Sequence, residues 1–247
     1  PAIHKYLSQF KDRLTPGVPG GRKDGSYKWY EIQDNIAYWQ EFERSKIIYQ
    51  EIATYQAFSW DDTGSYSNNK TFLIPDSNLY LLAILNSKIV WFFLNHIVQK
   101  MAGGTFALQT IYIKEIPIPS ATDEEKETIE TLVNYILFLT KELKDIPSHG
   151  TALAASAEDK LMLSYFEQLV NAIVLELYLP DELHVNDKYF LKHLLTENLP
   201  SLKKIKGNKI ESLRVIFKRI FDREHPLRVN IYFLNSVEVV RQLGGKK

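Results

Sequence analysis

The side chains best suited to making or breaking a bond are Asp76 and the run Glu124-Glu125-Lys126. An acid converging with a Glu-x-Lys trio can hold a metal ion, activate water and stabilise a phosphodiester transition state. Here the trio lies where a helix is expected to begin, and acids in a first turn are favoured by the helix dipole without any catalytic role. It is read as a solvated first turn. The six histidines (His4, His96, His149, His184, His193 and His225) include no i,i+4 pair with a glutamate between, the pattern of a helical zinc site. His96, after an apolar run, reads as a cap or a packed ring. There is no cysteine, which excludes disulfides, thiolate ligands and a cysteine nucleophile and suits a reducing compartment. A GxSxG elbow, a phosphate-cradling GxxxxGK[ST] and a glycine-rich turn after a strand are all missing. Gly17, Gly20 and Gly21 are spaced like a flexible loop. By elimination, this chain binds rather than transforms.

Composition allows that reading without directing it. The 247 residues are 45% hydrophobic and 13% aromatic, enough for one large or two smaller domains with a substantial core. Basic and acidic residues number 30 each, so no net charge draws the chain toward nucleic acid. The charge is nonetheless polarised. Residues 201–223 hold eight basic side chains against Glu211 and Asp222, and residues 120–145 hold seven acids against three lysines. No N-terminal signal peptide is apparent. The longest apolar runs, Leu79 to Leu85 and Ile89 to Leu94, are far short of the ~20 residues of a membrane span, so no membrane partner and a cytoplasmic location are expected. A first residue of Pro1 suggests a piece of a longer polypeptide.

The elements that would position binding groups follow from periodicity. Residues 1–15 pattern as an amphipathic helix with Ile3, Tyr6, Leu7 and Phe10 on one side, and residues 16–21 break it. Lys46 to Ile52 and Thr71 to Ile74 read as strands, with a polar turn at 66–69 before the second, and Ile111 to Ile116 as a third. Leu79 to His96 is apolar nearly all round and reads as one buried helix. The prolines of Ile-Pro-Ile-Pro take the chain out of the sheet. A cap among residues 120–122 should start a helix over Asp123 to Lys144, with Ile129, Leu132, Val133, Ile136 and Leu139 inward. After a break at 147–150, helices are expected over 158–179, 187–195 and 208–222. A short one should begin at Pro226 and a last one be capped by Ser236. The expected fold class is a mixed α/β (α+β) domain over 1–119 followed by a mainly helical region over 120–247.

The order of segments resembles the TaqI-like specificity domain of adenine-N6 methyltransferases and Type IIG restriction-modification enzymes. The resemblance rests on Trp29-Tyr30-Glu31-Ile32, on the strand segment Phe42 to Tyr49, and on Phe72-Leu73-Ile74. It continues through Leu81 to Lys88 (LLAILNSK), Gly103-Gly104 and Pro117-Ile118-Pro119. Further on, Ala172 to Tyr178, Glu224 to Arg228 and Val237 to Val240 are similar to the end of Type IIG chains. Ser45 stands where the family usually has proline, which loosens the carry-over of Arg44 and Lys46 as DNA contacts.

The resemblance implies a domain that reads duplex DNA, while a covalently linked methyltransferase, with its own S-adenosylmethionine, flips and methylates an adenine. The Asn-Pro-Pro-Tyr motif that presents the adenine in such enzymes is absent here, so this chain is expected to be non-catalytic, without cofactor or metal, and any nuclease to lie elsewhere. Phosphate grip calls for Lys and Arg, and base reading for amide, guanidinium and hydroxyl groups on projecting loops. The candidates are Arg22, Lys23, Lys28, Lys70 and Lys100 for phosphate, Gln56, Asn68, Asn69 and Gln99 for bases, with Arg44, Lys46 and Thr105 completing the set. Each is also readable as a solvated loop residue. The basic stretch 201–223 could hold flanking DNA, be a solvated helix face, or dock an acidic surface such as 123–144. Two rivals remain: a helical protein-interaction module on an α/β scaffold, and a metal nuclease built on Asp76, Glu124 and Lys126.

Overall fold

A computed structural model describes residues 1–33, 37–144 and 157–244; the expected break at 147–150 lies outside them. The chain forms two compact units, Pro1–Ser45 with Asp62–Tyr66, and Lys46–Asp61 with Ser67–Lys247.

In the first unit the expected single helix is broken into α1 (Ala2–Leu7), a 3-10 turn and α2 (Lys11–Leu14). The loop after it is not merely flexible. Arg22 N–H donates to the Thr15 carbonyl (3.1 Å) and Gly17 N–H to the Arg22 carbonyl (3.0 Å), and any side chain at Gly21 would collide with the Thr15 carbonyl. A 3-10 turn at Ala37–Trp39 leads into α3 (Gln40–Glu43), and Phe42 stacks on Tyr66 at 5.0 Å.

The second unit begins with β1 (Lys46–Gln50), the centre of an antiparallel sheet. Its β-branched and aromatic residues suit a pleated surface, and Ile47 and Tyr49 face the core. The chain continues through β2 (Ile52–Ala53), β3 (Ser59–Asp61) and β4 (Thr71–Ile74). The order β3-β1-β4 has Lys46 opposite Asp61 and Ile48 opposite Leu73.

The apolar run that follows is two helices, α4 (Leu79–Leu85) and α5 (Lys88–Ile97), bent by 60°. The Leu-Asn-Ser-Lys block makes the bend. Asn86 Nδ2 donates to the Phe58 and Leu82 carbonyls (2.9 and 3.1 Å), and its Oδ1 accepts from Phe58 N–H (3.1 Å). Buried Ser87 donates to the Ile84 carbonyl (2.7 Å) and caps α5 by accepting from Val90 N–H. Lys88 N–H reaches Asn171 Oδ1 (2.8 Å). Side chains thus serve the backbone groups that two helix ends leave unpaired.

Beyond α5 lie β5 (Phe106–Ala107), paired with β2, and α6 (Thr110–Ile113). The expected strand at 111–116 is therefore corrected: its β-branched residues form a helical turn, an instance of tertiary context overriding strand propensity. The Ile-Pro-Ile-Pro segment has no regular secondary structure and is pinned by phenols. Tyr178 donates to the Pro117 carbonyl (2.6 Å) and Tyr80 to the Pro119 carbonyl (2.7 Å). Burial, more than neighbouring charge, raises the pKa of both hydroxyls, so both stay protonated as donors.

Helix α7 (Asp123–Lys144) starts with a capping box: Thr122 N–H donates to Glu125 and Glu125 N–H to Thr122 Oγ1. It packs on α8 (Ala157–Tyr178) and α4. Ile129, Leu132, Val133 and Leu139 are buried on α7, as are Met162, Phe166, Leu169 and Ile173 on α8. The segments Leu81 to Lys88 and Ala172 to Tyr178, on either side of residue 119, thus share one core. The chain goes on through α9 (Pro180–His184), α10 (Leu191–Thr196), α11 (Lys209–Ile220), α12 (Pro226–Tyr232) and α13 (Glu238–Leu243); α9, α11 and α12 pack on α8, α10 on α7 and α12, and α13 on α5. α10 starts later than expected because Asp187 takes φ +54°, a conformation no helix can run through. Val237 rather than Ser236 precedes α13. Glu176, buried on α8, accepts from the N–H groups of Phe190 and Leu191 (2.9 and 2.8 Å) and hydrogen-bonds His184. The mixed α/β region followed by a helical region is as expected.

Candidate nucleic-acid interface

Glu51 is the joint of the candidate surface, where the strand leaves one sheet and enters another. Its N–H donates to the Lys70 carbonyl (3.0 Å), its carbonyl accepts from Leu108 N–H (2.7 Å), and its carboxylate lies 3.5 Å from Lys70 Nζ. On one side is the turn before β4. Asn68 Oδ1 accepts from Lys70 N–H (3.0 Å) and its carbonyl from Thr71 N–H (3.2 Å), an Asx-type turn that favours this residue. On the other side β2 pairs with β5, reached through the 99–105 loop. There the Gln99 carbonyl accepts from Ala107 N–H (3.1 Å), Met101 N–H donates to the Thr105 carbonyl (2.8 Å), and Thr105 Oγ1 donates to Ala102 (3.0 Å). Gly103 and Gly104, at φ +74° and +73°, let this loop turn back.

The two turns display Asn68, Asn69, Lys70, Gln99 and Lys100 to solvent, with Thr105 and Gln56 partly covered. Beside them is a shallow depression of about 110 Å³ lined by Gln50, Ala53, Thr54, Tyr55, Ala57 and Thr105. Thr54 and Tyr55, both exposed, add a hydroxyl and an aromatic face that the candidate set omitted. The signal for Tyr55 was an aromatic residue in a polar loop; Thr54 had none. Amides, hydroxyls and ammonium groups held on strand ends can contact base edges and phosphates.

Other candidates serve different ends. Lys46 is fully buried, donating to Asp61 Oδ2 at 2.6 Å; as a DNA contact it is corrected, because its charge is already compensated inside the sheet. Arg22 spends its guanidinium on the carbonyls of Leu14 (2.8 Å), Lys28 (3.2 Å), Trp29 (3.1 Å) and Glu31 (3.0 Å) and stacks over Tyr27. It is the staple of its own loop. Lys28 lies 3.8 Å from Glu31 and over the Tyr30 ring, and Tyr30 above all raises its pKa. Arg44, exposed, is 3.6 Å from Glu41, and Lys23 is exposed. These four, Arg22, Lys23, Lys28 and Arg44, belong to the first unit, whereas the Glu51-centred surface belongs to the second.

Much of the 201–223 basic stretch is paired within the helical region. Arg214 makes a two-pronged contact with Asp159 (2.8 Å each), which raises its pKa. Lys218 reaches Glu158 (3.1 Å) and Arg219 reaches Glu197 (2.8 Å). The acidic partners thus come from α8, Glu197 and the neighbouring Glu211 and Glu224. Lys203, Lys204 and Lys206 are exposed. Among the described residues no three His, Asp or Glu side chains gather as a metal site, and Glu125 is engaged in the capping box. Nor is any single described helix long and apolar enough to cross a membrane.

A mixed α/β platform with polar turns, closed by a pinned Pro-Ile-Pro, has a counterpart among known families: residues 3–118 match the model of the TaqI-like C-terminal specificity domain family. The match ends before the helical region. A curated relative, the Type II methyltransferase M.MjaIV of Methanocaldococcus jannaschii, is 30% identical over 155 residues, 59% of this chain. The matched part spans half of that protein's length.

Proposed function

We propose that this chain recognises duplex DNA sequence for a restriction-modification enzyme. The carrying observation is that, within the family-matched segment, amide and ammonium side chains project from two turns on either side of Glu51. Lys70 and Lys100 grip phosphate; Asn68, Asn69 and Gln99, with Gln56 and Thr105 behind them, meet base edges. Adenine-N6 methylation with S-adenosylmethionine falls to a catalytic segment of the same polypeptide outside these residues, with or without a nuclease. The site of action is DNA in the cytoplasm.

The test is selection from a random duplex pool followed by titration at several salt concentrations. Lys70→Ala and Lys100→Ala should each weaken binding evenly across sequences and flatten the log–log salt slope by about 0.9. Replacing Asn68, Asn69 or Gln99 by Ala should relax preference at one position, by about 1–3 kcal/mol for a bidentate contact. A pool that emerges unenriched would sink the proposal.

A further inference from the structure

We infer that the depression beside β2 and the 99–105 loop reads the C5-methyl group of a thymine, the one apolar feature that a base pair presents in the major groove. The inference rests on the proposed reading of duplex DNA and names what one part of that surface selects. The depression is formed entirely by residues of the second unit. At about 110 Å³ it is well below the ~300–1,000 Å³ of a site that engulfs a small molecule. It suits one projecting group of a larger partner.

Its chemistry changes with depth. The more covered lining residues are Ala53, Ala57 and Thr105, whereas Gln50, Thr54 and Tyr55 are exposed. Two of the covered three end in a methyl group. The third, Thr105, spends its hydroxyl on the Ala102 carbonyl (3.0 Å), which leaves its methyl uncommitted. Backbone groups there are engaged as well. Ala53 pairs with Phe106 in the β2–β5 ladder, and the Thr105 carbonyl accepts from Met101 N–H (2.8 Å). Among the described residues, none that lines the depression carries a full charge. An amino or carbonyl edge seated on this floor would lose water without full replacement, whereas a methyl gains by leaving water.

The floor is also held in place. Phe106 of β5 packs edge-on against Trp91 of α5 at 5.3 Å, and both rings lean on the core. A surface fixed in this way cannot collapse around a missing methyl, so the gap persists and is felt. The surroundings point to DNA rather than to an apolar peptide. Gln50 precedes Glu51 in the chain, and the turns on either side of Glu51 display Asn69, Lys70 and Lys100, groups that meet phosphates and base edges. A small methyl-lined hollow among such groups matches a thymine edge.

Base analogues test the inference on the whole 247-residue chain. Each thymine of the site enriched from a random duplex pool is replaced in turn by uracil, which removes only the C5-methyl, and binding is titrated. At one position uracil should weaken binding about fourfold, the worth of one buried methyl. There 5-bromouracil, whose halogen fills the methyl's place, should restore it. Ala57→Leu fills the depression and should bind the thymine and uracil duplexes equally. Tyr55→Ala, at an exposed position where folding is little at risk, should narrow the difference about twofold. An enriched site without thymine, or one whose thymines give way to uracil at no cost, overturns the inference and leaves DNA recognition standing. So does a thymine–uracil difference that survives in both variants, because the methyl is then read elsewhere. Absence of any enrichment overturns the DNA reading and this inference together.

Discussion

Lys46 and Asp61 face each other in the β1–β3 register, and their ion pair is nearly sealed from water. A buried pair gains little over a well-packed apolar pair, but removing one partner strands a charge in low dielectric. Lys46→Met should therefore destabilise the chain by about 3–5 kcal/mol, and Lys46→Met with Asp61→Leu should recover most of that. Urea unfolding of the single and double variants checks this; equal losses in both would show that the pair is not what matters. The reason Lys46 looked like a DNA contact is instructive. A lysine before a β-branched run says nothing of the aspartate 15 positions on that the sheet register places opposite it. The turn residues Asn68, Lys70 and Gln99 were legible because polar residues between strands have few other roles. Thr54 was not, because its value lies in where β2 ends.

Elements were legible where one periodicity ran unbroken. α7 and its inward residues follow from the heptad-like spacing of Ile129, Leu132, Val133 and Leu139 and the capping box at Thr122. The bend between α4 and α5 did not follow, because Asn86 and Ser87 could sit within a helix as polar interruptions. They break it because Phe58, far away in sequence, offers a carbonyl and an N–H that one carboxamide can satisfy together. Asn86→Ala would leave those groups unserved in a partly buried place, at about 2–4 kcal/mol. Thermal or urea unfolding should show that loss, and an Asn86→Ala variant of unchanged stability would mean the amide does not hold the bend. Ile111, Tyr112 and Ile113 carry strand propensity, yet they form the turn α6 because the Tyr112 and Ile113 N–H groups both donate locally to the Gln109 carbonyl.

For the molecule as a whole, stability should be uneven. The second unit holds the α7–α8 core, while the first has no buried side chain among its described residues. In the isolated chain, amides of α7 and α8 should exchange only through global unfolding, and those of α1 and α2 through local opening at much lower free energy. Exchange measured against denaturant separates the two; a common opening energy would mean that the units unfold together.

Sequence alone determined the mixed α/β start and helical finish, the polar turns and the break in regular structure at Ile-Pro-Ile-Pro. These depend on local periodicity, turn chemistry and proline's missing N–H. Tertiary structure alone decided which cations are spent on internal partners, where the long apolar run bends, and which turns flank Glu51. Those outcomes hinge on groups remote in sequence that compete for the same hydrogen bonds and charges, and a one-dimensional pattern holds no record of who meets whom.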